Sequence, residues 1–351
     1  DFTDVVMSSR VRLARNIAGH PFISKAARKD RLRTLEICRE RVLSTCGGGI
    51  APRLVWCDIH EATPLDRMLL VERHLISKQL SKGRQGGPGS AEDPRGVAIG
   101  LPDERLSIMV NEEDHLRLQV IRSGLALGAA WKQIDEIDDK LEAGIDYAFS
   151  QRFGYLTACP TNVGTGLRMS VMLHLPGLRL TGEIEKVKRA ANDMSLAVRG
   201  FYGEGSDAVG DFYQLSNQTT LGRTEGQILT DMEKEIIPRV VEYERSSRRE
   251  LFARRRIGVE DQIMRAWGLL CNARLLSTEE SMQALSLARL GVLHDIIKSR
   301  GGAALDIRHI NQLALLVQPA HLQRAVGKEL DQEQRRVARA TLMRTRLGAI
   351  A

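Results

Sequence analysis

The sequence predicts an α+β region followed by an all-α region, with the boundary near residue 250. The chain has 351 residues, which is enough for two domains, and its 43% hydrophobic content can fill a core in each. Short strand-like segments alternate with helix-like ones as far as residue 250. Beyond that point the strand-like segments end and helical patterns continue. We therefore expect one domain at residues 1–250 and a second at residues 251–351.

Four apolar segments of the first region are predicted to be strands of a sheet. Segments 95–101 and 105–110 are separated by a Pro-Asp-Glu turn, and segments 169–175 and 196–198 carry similar short apolar runs. Helices are expected at 30–44 and 116–127, where apolar residues recur at helical spacing.

The glycine-rich segment 81–93 is predicted to be a mobile loop. It contains four glycines and a proline, but it lacks the Lys-Ser/Thr ending and the following helix of a phosphate-binding loop. The pattern therefore disfavours a phosphate-binding role here.

The second region carries clear helix signals. Ser277 and Glu280 have the spacing of a capping box. An apolar face follows, and we expect Gly301-Gly302 to end that helix and Pro319 to interrupt the next one. The arginine-rich segment 245–256 is expected to connect the two domains. The predicted apolar face consists of Met282, Leu285, Ala288, Val292 and Ile296.

Composition narrows the possible function classes. No apolar stretch approaches 18 residues and residues 1–12 show no signal-peptide pattern, so neither a membrane span nor secretion is predicted. The first residue is Asp, so we expect a few native residues to precede it. The five cysteines are scattered and have no metal-ligand spacing, as in a cytosolic protein with reduced thiols. A net charge of +7 suits nucleotides, phosphorylated surfaces or nucleic acid without choosing among them.

Four short segments of the first region combine arginines with carboxylates or glycines. An ATP triphosphate needs several fixed cations, and arginine offers a planar fork that matches phosphate oxygens. A guanidinium acceptor would need carboxylates, one of which takes its proton as the N–P bond forms. Taken singly, each segment is typical of a solvated surface or a simple turn. The segments are 8–12 (SSRVR), 111–117 (NEEDHLR), 157–172 (TACPTNVGTGLRMSVM) and 199–204 (RGFYGE).

Together, SSRVRLARN, NEEDHLR, CPTNVGTGLR and RGFYGEG resemble the signature segments of the ATP:guanidino phosphotransferases (phosphagen kinases), in the same order and at compatible spacing. The resemblance covers roughly residues 4–246 and is closest to the bacterial protein-arginine kinases. It implies a catalytic domain with an antiparallel sheet flanked by helices, on which ATP lies.

The resemblance also implies site residues. It implies that five arginines bind the phosphates and that His74 lies near the nucleotide base. It also implies that Glu113 and Glu204 hold the substrate guanidinium and that Cys159 lies beside that group. Glu113 is the expected base, and the alternative for Cys159 is a small buried apolar residue. His115 is expected to support its loop. The expected ATP-binding residues are Ser8, Ser9, Arg10, Val11, Arg12, His74, Arg117, Arg168, Met169, Ser170, Val171, Met172, Arg199, Gly200, Phe201, Tyr202 and Gly203.

The expected cofactors are ATP and Mg²⁺, which bridges phosphate oxygens and needs no protein cage. No cluster of protein metal ligands is visible in the sequence, and the protein-kinase motifs HRD and DFG are absent. Family resemblance further implies a zinc-binding activator protein, a Clp-type protease and a heat-shock transcriptional repressor as partners. It also implies a homodimer in the cytoplasm, with neither a membrane nor nucleic acid as a direct partner.

Two features favour a protein substrate. Small-molecule guanidino kinases carry a helical domain before the SSRVR-like segment, whereas here that segment begins at residue 8, so an open pocket is expected. Tyr202 stands where creatine and arginine kinases have a charged residue. The alternatives are a kinase for a free guanidino metabolite and a non-catalytic adaptor that binds phosphoarginine or nucleic acid.

The second region resembles the dimerisation domain of the protein-arginine kinases, which holds a phosphoarginine pocket marked by Arg-Asp-x-x-Arg-Ala. Here Arg335, Arg339 and Ala340 match this motif, but Arg336 replaces the aspartate. The replacement retains attraction for phosphate and removes a partner for the guanidinium. The alternative is a solvated basic helix face.

Overall fold

The computed structural model describes residues 2–46, 53–83, 93–200, 209–298 and 305–348. Its strands are β1 Val6–Arg15, β2 Arg53–Asp58, β3 Gly96–Leu101, β4 Leu106–Val110, β5 Leu116–Ser123, β6 Phe149–Ser150, β7 Gly154–Tyr155, β8 Leu167–His174, β9 Leu196–Arg199 and β10 Phe212–Asn217. Its α-helices are α1 Arg28–Cys46, α2 Pro64–Glu72, α3 Lys78–Lys82, α4 Leu127–Glu142, α5 Pro176–Leu180, α6 Ile184–Asp193, α7 Glu225–Thr230, α8 Ile237–Asn272, α9 Thr278–Leu293, α10 Ile307–Leu316, α11 Pro319–Val326 and α12 Gln332–Gly348.

Eight strands form one sheet in the order β2-β3-β4-β5-β1-β8-β10-β9, and neighbouring strands run antiparallel. One face of the sheet packs on α4, whose buried side chains recur at helical spacing, as at Ala130, Ile134 and Ile137. The other face, at the centre of the sheet, carries polar side chains. The predicted architecture, an antiparallel sheet flanked by helices and followed by a helical region, is confirmed.

The prediction of a helix at 116–127 is wrong. Leu116–Ser123 is strand β5, which pairs with both β1 and β4, and α4 begins only at Leu127. Leu116, Leu118 and Val120 are fully buried on one face, which is the two-residue period of a strand. The apolar spacing of this short segment fits either structure, and pairing in the centre of the sheet decides it.

The helical region starts within one long helix. The arginine-rich segment 245–256 lies inside α8 rather than in a separate connection, although the backbone of Arg255 is non-helical there (φ −138°, ψ 36°). Ser277 and Glu280 form the predicted capping box of α9. That helix ends at Leu293, well before Gly301-Gly302, which lie outside the described residues. Pro319 stands in the first turn of α11, where its missing N–H costs nothing. Within the described residues no helix has both the length and the apolar character needed to cross a bilayer.

A buried arginine joins the helical region to the sheet. Arg289 on α9 is fully buried and donates to the carbonyl oxygens of Thr3 (2.9 Å) and Asp4 (2.9 Å) and to His174 Nδ1 on β8 (2.8 Å). Because Nδ1 of His174 accepts, its Nε2 donates to Ser286 Oγ (2.8 Å). Burial and the neighbouring arginines hold the pKa of His174 well below its ordinary value, so this histidine is neutral.

We expect Arg289→Met to lower the free energy of unfolding by about 3–5 kcal/mol, because it leaves several buried acceptors without a donor. The matched control is Arg265→Met. The Arg265 side chain is 79% exposed and pairs with Asp261 at the surface, so a change of about 0.5 kcal/mol or less is expected. Denaturant unfolding measures both variants. Equal effects would contradict the structural role of Arg289.

Candidate active site

Strand register places the five predicted arginines on one face of the sheet. Arg12 on β1 pairs with Arg168 on β8 and with Gln119 on β5, and Arg117 lies two residues before Gln119. Arg199 on β9 pairs with Gln214 on β10, which pairs with Met172 of β8. Since side chains two residues apart share a face, arginines from four strands converge.

These arginines line a cavity of about 330 Å³. Glu112 and Glu113 line it at one side, after β4, and His74 and Lys78 line it from the segment around α3. Cys159 also lines the cavity and is only partly buried, so it is not the buried apolar residue of the alternative interpretation. The described part of the predicted set that lines the cavity is Arg10, Arg12, His74, Glu113, Arg117, Cys159, Arg168 and Arg199.

Four of the predicted ATP-binding residues have their side chains on the face of the sheet opposite the cavity. Ser9, Val11, Met169 and Val171 are buried on the helix-covered face, where Ser9 Oγ donates to Gly124 O (2.8 Å) and accepts from Ala126 N (2.9 Å). The resemblance named continuous segments, whereas a strand presents only alternate residues to one face. Their neighbours Ser8, Ser170 and Met172 share the face of Arg10.

Only the first two residues of the fourth predicted segment, 199–204, are among the described residues. Gly200 follows β9 and is buried. Phe201, Tyr202, Gly203 and Glu204 lie outside the described residues.

The clustered arginines repel one another. Burial, with the charges of Arg117, Arg168 and Arg199, lowers the pKa of Arg10 to about 10, so it remains protonated at neutral pH. Burial and Arg10 hold the pKa of Arg12 well below its ordinary value. Arg12 Nε is buried and has no hydrogen-bond partner among the described residues. A polyanion in the cavity would relieve the repulsion and satisfy this donor.

Two glutamates hold Arg117 from one side. Its guanidinium contacts Glu112 (2.7 Å) and Glu113 (2.9 Å). Burial acts to lower the pKa of Arg117, but the carboxylates outweigh it and the pKa is raised. Burial raises the pKa of Glu113; Arg117 partly offsets this, and Glu112 and Asp114 raise the pKa further. Glu113 is 34% exposed and therefore accessible from the cavity, as a base requires.

The loop that carries the glutamates is fixed by buried hydrogen bonds. Asp114 Oδ1 accepts from Asn16 Nδ2 (2.6 Å) and from Ala158 N (2.7 Å), which ties this loop to the segment of Cys159. His115 Nδ1 accepts from Ile17 N (2.9 Å), so its Nε2 donates to Pro21 O (3.0 Å). The prediction that His115 supports the loop is confirmed.

We expect Asp114→Ala to lower the free energy of unfolding by about 2–4 kcal/mol, because two buried donors lose a charged acceptor. It should also lower kcat, because the segments of Glu113 and Cys159 lose their link. Asp261→Ala is the control, since Asp261 is 57% exposed and pairs with Arg265 at the surface of α8. Denaturant unfolding and initial rates measure both effects. Unchanged stability and kcat would contradict the role of Asp114.

The segment of Cys159 contacts Arg168. Cys159 Sγ lies 3.0 Å from Thr161 Oγ1, and Asn162 Oδ1 accepts from Arg168 (3.3 Å). Gly164 (φ +111°) lies so close to the backbone that a Cβ would stand 2.9 Å from Thr220 O. Glycine at this position lets the segment turn back toward the sheet.

His74 is held by its backbone, in a left-handed conformation (φ +58°). Its carbonyl oxygen accepts from Gln119 Nε2 (2.6 Å). Burial, with Arg10 and Lys78, lowers the pKa of His74 to about 3, so the imidazole is neutral. A neutral ring suits contact with an uncharged base better than contact with phosphate.

Several lining residues were not predicted. Glu112 is buried and accepts from Ser77 Oγ (2.6 Å) at the start of α3. The run of three carboxylates was a signal for Glu112, but Lys78 and Gln214 lie in segments without a motif.

The predicted phosphoarginine motif lies on α12. Arg339 is buried, and its guanidinium donates to Val317 O (2.7 Å) and Leu276 O (2.9 Å), so much of its donor capacity holds helices together. Ala340 is in the core. Arg336 is exposed, and Arg335 is partly exposed and donates to Leu330 O (2.7 Å). Arg335 and Arg336 remain candidates for contact with phosphate.

No group of three or more His, Cys, Asp and Glu side chains suitable for a metal ion occurs in the described residues. Among the described residues, the carboxylates that line the cavity are Glu112 and Glu113, and both pair with Arg117. A divalent cation in this cavity would therefore be held mainly by the phosphates it accompanies.

Comparison with known proteins identifies two matching family models. Residues 50–247 match the ATP:guanido phosphotransferase C-terminal catalytic domain, and residues 256–351 match the protein-arginine kinase McsB C-terminal domain. Among solved structures, the chain is similar to the duplicated taurocyamine kinase of Schistosoma mansoni (TM-score 0.59, 25% identity), covering 69% of this chain and a third (33%) of that one. A lombricine kinase gives a TM-score of 0.57 at 26% identity, covering 70% of this chain and 67% of that one.

Curated relatives match over nearly the whole chain. A protein-arginine kinase of Symbiobacterium thermophilum is 44% identical over 346 residues, which are 99% of this chain and 94% of the relative. Another, from Caldanaerobacter subterraneus subsp. tengcongensis, is 41% identical over 345 residues, which are 98% of this chain and 97% of the relative. The chain therefore belongs to the ATP:guanido phosphotransferase family, among its protein-arginine kinases, and is an ATP-dependent kinase.

Proposed function

We propose that this kinase transfers the γ-phosphoryl group of ATP to arginine side chains of proteins. The observation that carries the proposal is one sheet face on which five arginines surround a cavity edged by Glu112 and Glu113. Such a cavity offers cations to a triphosphate and carboxylates to a guanidinium, which are the two halves of the reaction.

In the proposed reaction the arginines hold the triphosphate and neutralise charge that develops on the transferred group. Glu113 orients the target guanidinium and accepts its proton. One guanidinium nitrogen forms a bond to the γ-phosphorus as the bond from that phosphorus to the β,γ-bridging oxygen breaks, and ADP leaves. From the family resemblance, Glu204 is proposed as the second carboxylate on the guanidinium and Cys159 as a neighbour of the reacting nitrogen.

Mg²⁺ is proposed to enter with ATP as part of the substrate. Bound to the phosphates, it would supply positive charge that offsets the charge developing during transfer, without requiring a protein cage. This fits the described lining of the cavity, in which cationic side chains outnumber carboxylates.

Relatives named protein-arginine kinase support a protein acceptor, since they align over 94% or more of their own length, including the helical region. Family resemblance leads us to propose further that phosphorylated proteins are recognised by a Clp-type protease and that a heat-shock repressor is one target. We also propose a zinc-binding activator, a homodimer, phosphoarginine binding by the α12 arginines and a cytoplasmic location.

The test is a comparison of acceptors. The enzyme is incubated with Mg·ATP and casein, with a matched casein whose arginines have been converted to citrulline, or with free arginine. Mass spectrometry under neutral conditions detects phosphoarginine. Labelling of unmodified casein, with none on the citrulline form, supports the proposal. Phosphorylation of free arginine with no labelling of protein would instead assign a metabolite kinase, the activity class of the taurocyamine and lombricine kinases.

A further inference from the structure

The cations that line the cavity come from two parts of the fold. Five are the arginines of the sheet, on strands β1, β5, β8 and β9. Among the described residues the sixth is Lys78, the first residue of α3, which lines the cavity from outside the sheet. A triphosphate in the cavity would therefore meet a cation from α3 as well as those of the sheet.

The segment that leads into α3 is fixed against both the helical region and the sheet. The side chain of Glu72, the last residue of α2, accepts from Ala320 N (2.7 Å) and His321 N (2.9 Å) at the start of α11. The carbonyl oxygen of His74 accepts from Gln119 Nε2 on β5 (2.6 Å). The backbone before α3 therefore has a defined position beside the cavity.

The start of α3 is tied to the loop that carries the two glutamates. Ser77 Oγ donates to Glu112 Oε1 (2.6 Å) and accepts from Leu80 N (2.9 Å), so one hydroxyl both caps the helix and holds the carboxylate. Glu112 Oε2 in turn accepts from the backbone N–H of Glu113 (2.8 Å). Lys78 thus follows a residue that is joined through Glu112 to the proposed base.

The side chain of Lys78 has more freedom than the guanidinium groups of the sheet. Lys78 is exposed, whereas the guanidinium of Arg117 is 14% exposed and is held by the two glutamates. Burial, and then the charges of Arg10 and Lys78, lower the pKa of His74, so the ammonium lies close to the lining of the cavity. A compact charge on a flexible four-carbon stem can close on a phosphate that has entered between the fixed arginines.

We propose that Lys78 binds the terminal phosphate of ATP, as a sixth cation of the site. Its place beside Ser77, which contacts Glu112, puts it toward the carboxylate end of the cavity, where the transferred group meets the guanidinium. Lys78 donates hydrogen bonds and forms no covalent bond. This inference rests on the proposed use of ATP by the arginine-lined cavity, and it adds a residue that none of the four motif segments contains.

The test compares ligands that differ in the terminal phosphate. Binding of ADP and of AMP-PNP, an ATP analogue with nitrogen in place of the β,γ-bridging oxygen, is measured by calorimetry with Mg²⁺ on the full chain. We expect Lys78→Met to lower AMP-PNP affinity about tenfold and to change ADP affinity less than about twofold, because one charge-assisted contact with the terminal phosphate is lost. The control is Lys82→Met, since Lys82 is exposed one turn further along α3 and does not line the cavity.

Selective loss of AMP-PNP binding in Lys78→Met, with Lys82→Met like the wild type, supports the proposal. Unchanged AMP-PNP affinity, equal loss of ADP and AMP-PNP, or the same loss in Lys82→Met would overturn it. Both lysines are exposed, so neither variant should lose stability, which thermal unfolding checks. The measurement uses no phosphoryl acceptor, so a failure of protein-arginine phosphorylation gives a separate result. Failure of the wild type to bind either nucleotide would contradict both proposals.

Discussion

Glu113→Gln is expected to lower kcat by about 10²- to 10⁴-fold, the usual contribution of a general base. Glutamine has nearly the same shape as glutamate, but it cannot accept the proton from the guanidinium. It also carries no negative charge to offset the positive charge of Arg117. Glu113 lies 2.9 Å from Arg117 and is accessible from the cavity. ADP affinity should change much less, because the phosphates are assigned to the arginines. Initial rates and calorimetry measure the two effects.

The pH profile provides a second readout for Glu113. A base must be deprotonated, and burial raises the pKa of Glu113 above that of an ordinary glutamate. Activity should therefore fall as the pH decreases through this raised pKa, and Glu113→Gln should lack that acidic limb. Glu185→Gln is the control, since Glu185 is 66% exposed and lies on α6. Retention of the acidic limb and near-normal kcat in Glu113→Gln would assign the base elsewhere.

Arg10→Gln is expected to weaken ADP and tripolyphosphate binding about 10- to 150-fold, from the loss of a charge-assisted contact of about 1.5–3 kcal/mol. The free protein should become no less stable. Folding lowers the pKa of Arg10 to about 10, so the folded state disfavours its charged form at every pH below that value. Removing the charge therefore relieves repulsion at neutral pH.

Thermal unfolding with and without tripolyphosphate tests whether Arg10 contributes to ligand binding and not to the stability of the free protein. Ligand should raise the melting temperature of the wild type and raise it far less in Arg10→Gln. Arg265→Gln, at an exposed position on α8, should behave like the wild type. The contrary result is a ligand-free Arg10→Gln protein with a much lower melting temperature than the wild type, which tripolyphosphate raises by as much as in the wild type. Arg10 would then stabilise the fold and would not bind the ligand.

Sequence segments predicted residues that line the cavity, but not the face of the sheet on which each residue lies. SSRVR and NEEDHLR predicted Arg10, Arg12 and Glu113 as site residues, and all three line the cavity. The family and the fold that these segments imply are confirmed. The division of SSRVR between two faces follows from the pairing of β1 with β5 and β8, which local sequence does not encode. The apolar spacing of Leu116–Ser123 fits a helix or a strand, and only its pairing with β1 and β4 makes it a central strand.

Contacts between residues far apart in the sequence could not be predicted either, because they also depend on how the chain packs. Glu72 and His321 are 249 positions apart, and Arg289 contacts Thr3 across 286 positions. No local pattern distinguishes these residues from the many charged residues on helix surfaces. Their partners are backbone atoms and single side chains that become neighbours only when the helical region packs on the sheet.

The most direct test of the central claim is phosphorus NMR of a casein reaction under neutral conditions, with wild type and Glu113→Gln in parallel. The proposed reaction predicts a protein-bound signal typical of a phosphorus–nitrogen bond, which disappears after mild acid and is absent with the variant. An acid-stable phosphate ester on the protein, or an equal phosphorus–nitrogen signal with Glu113→Gln, would contradict transfer to arginine by this site.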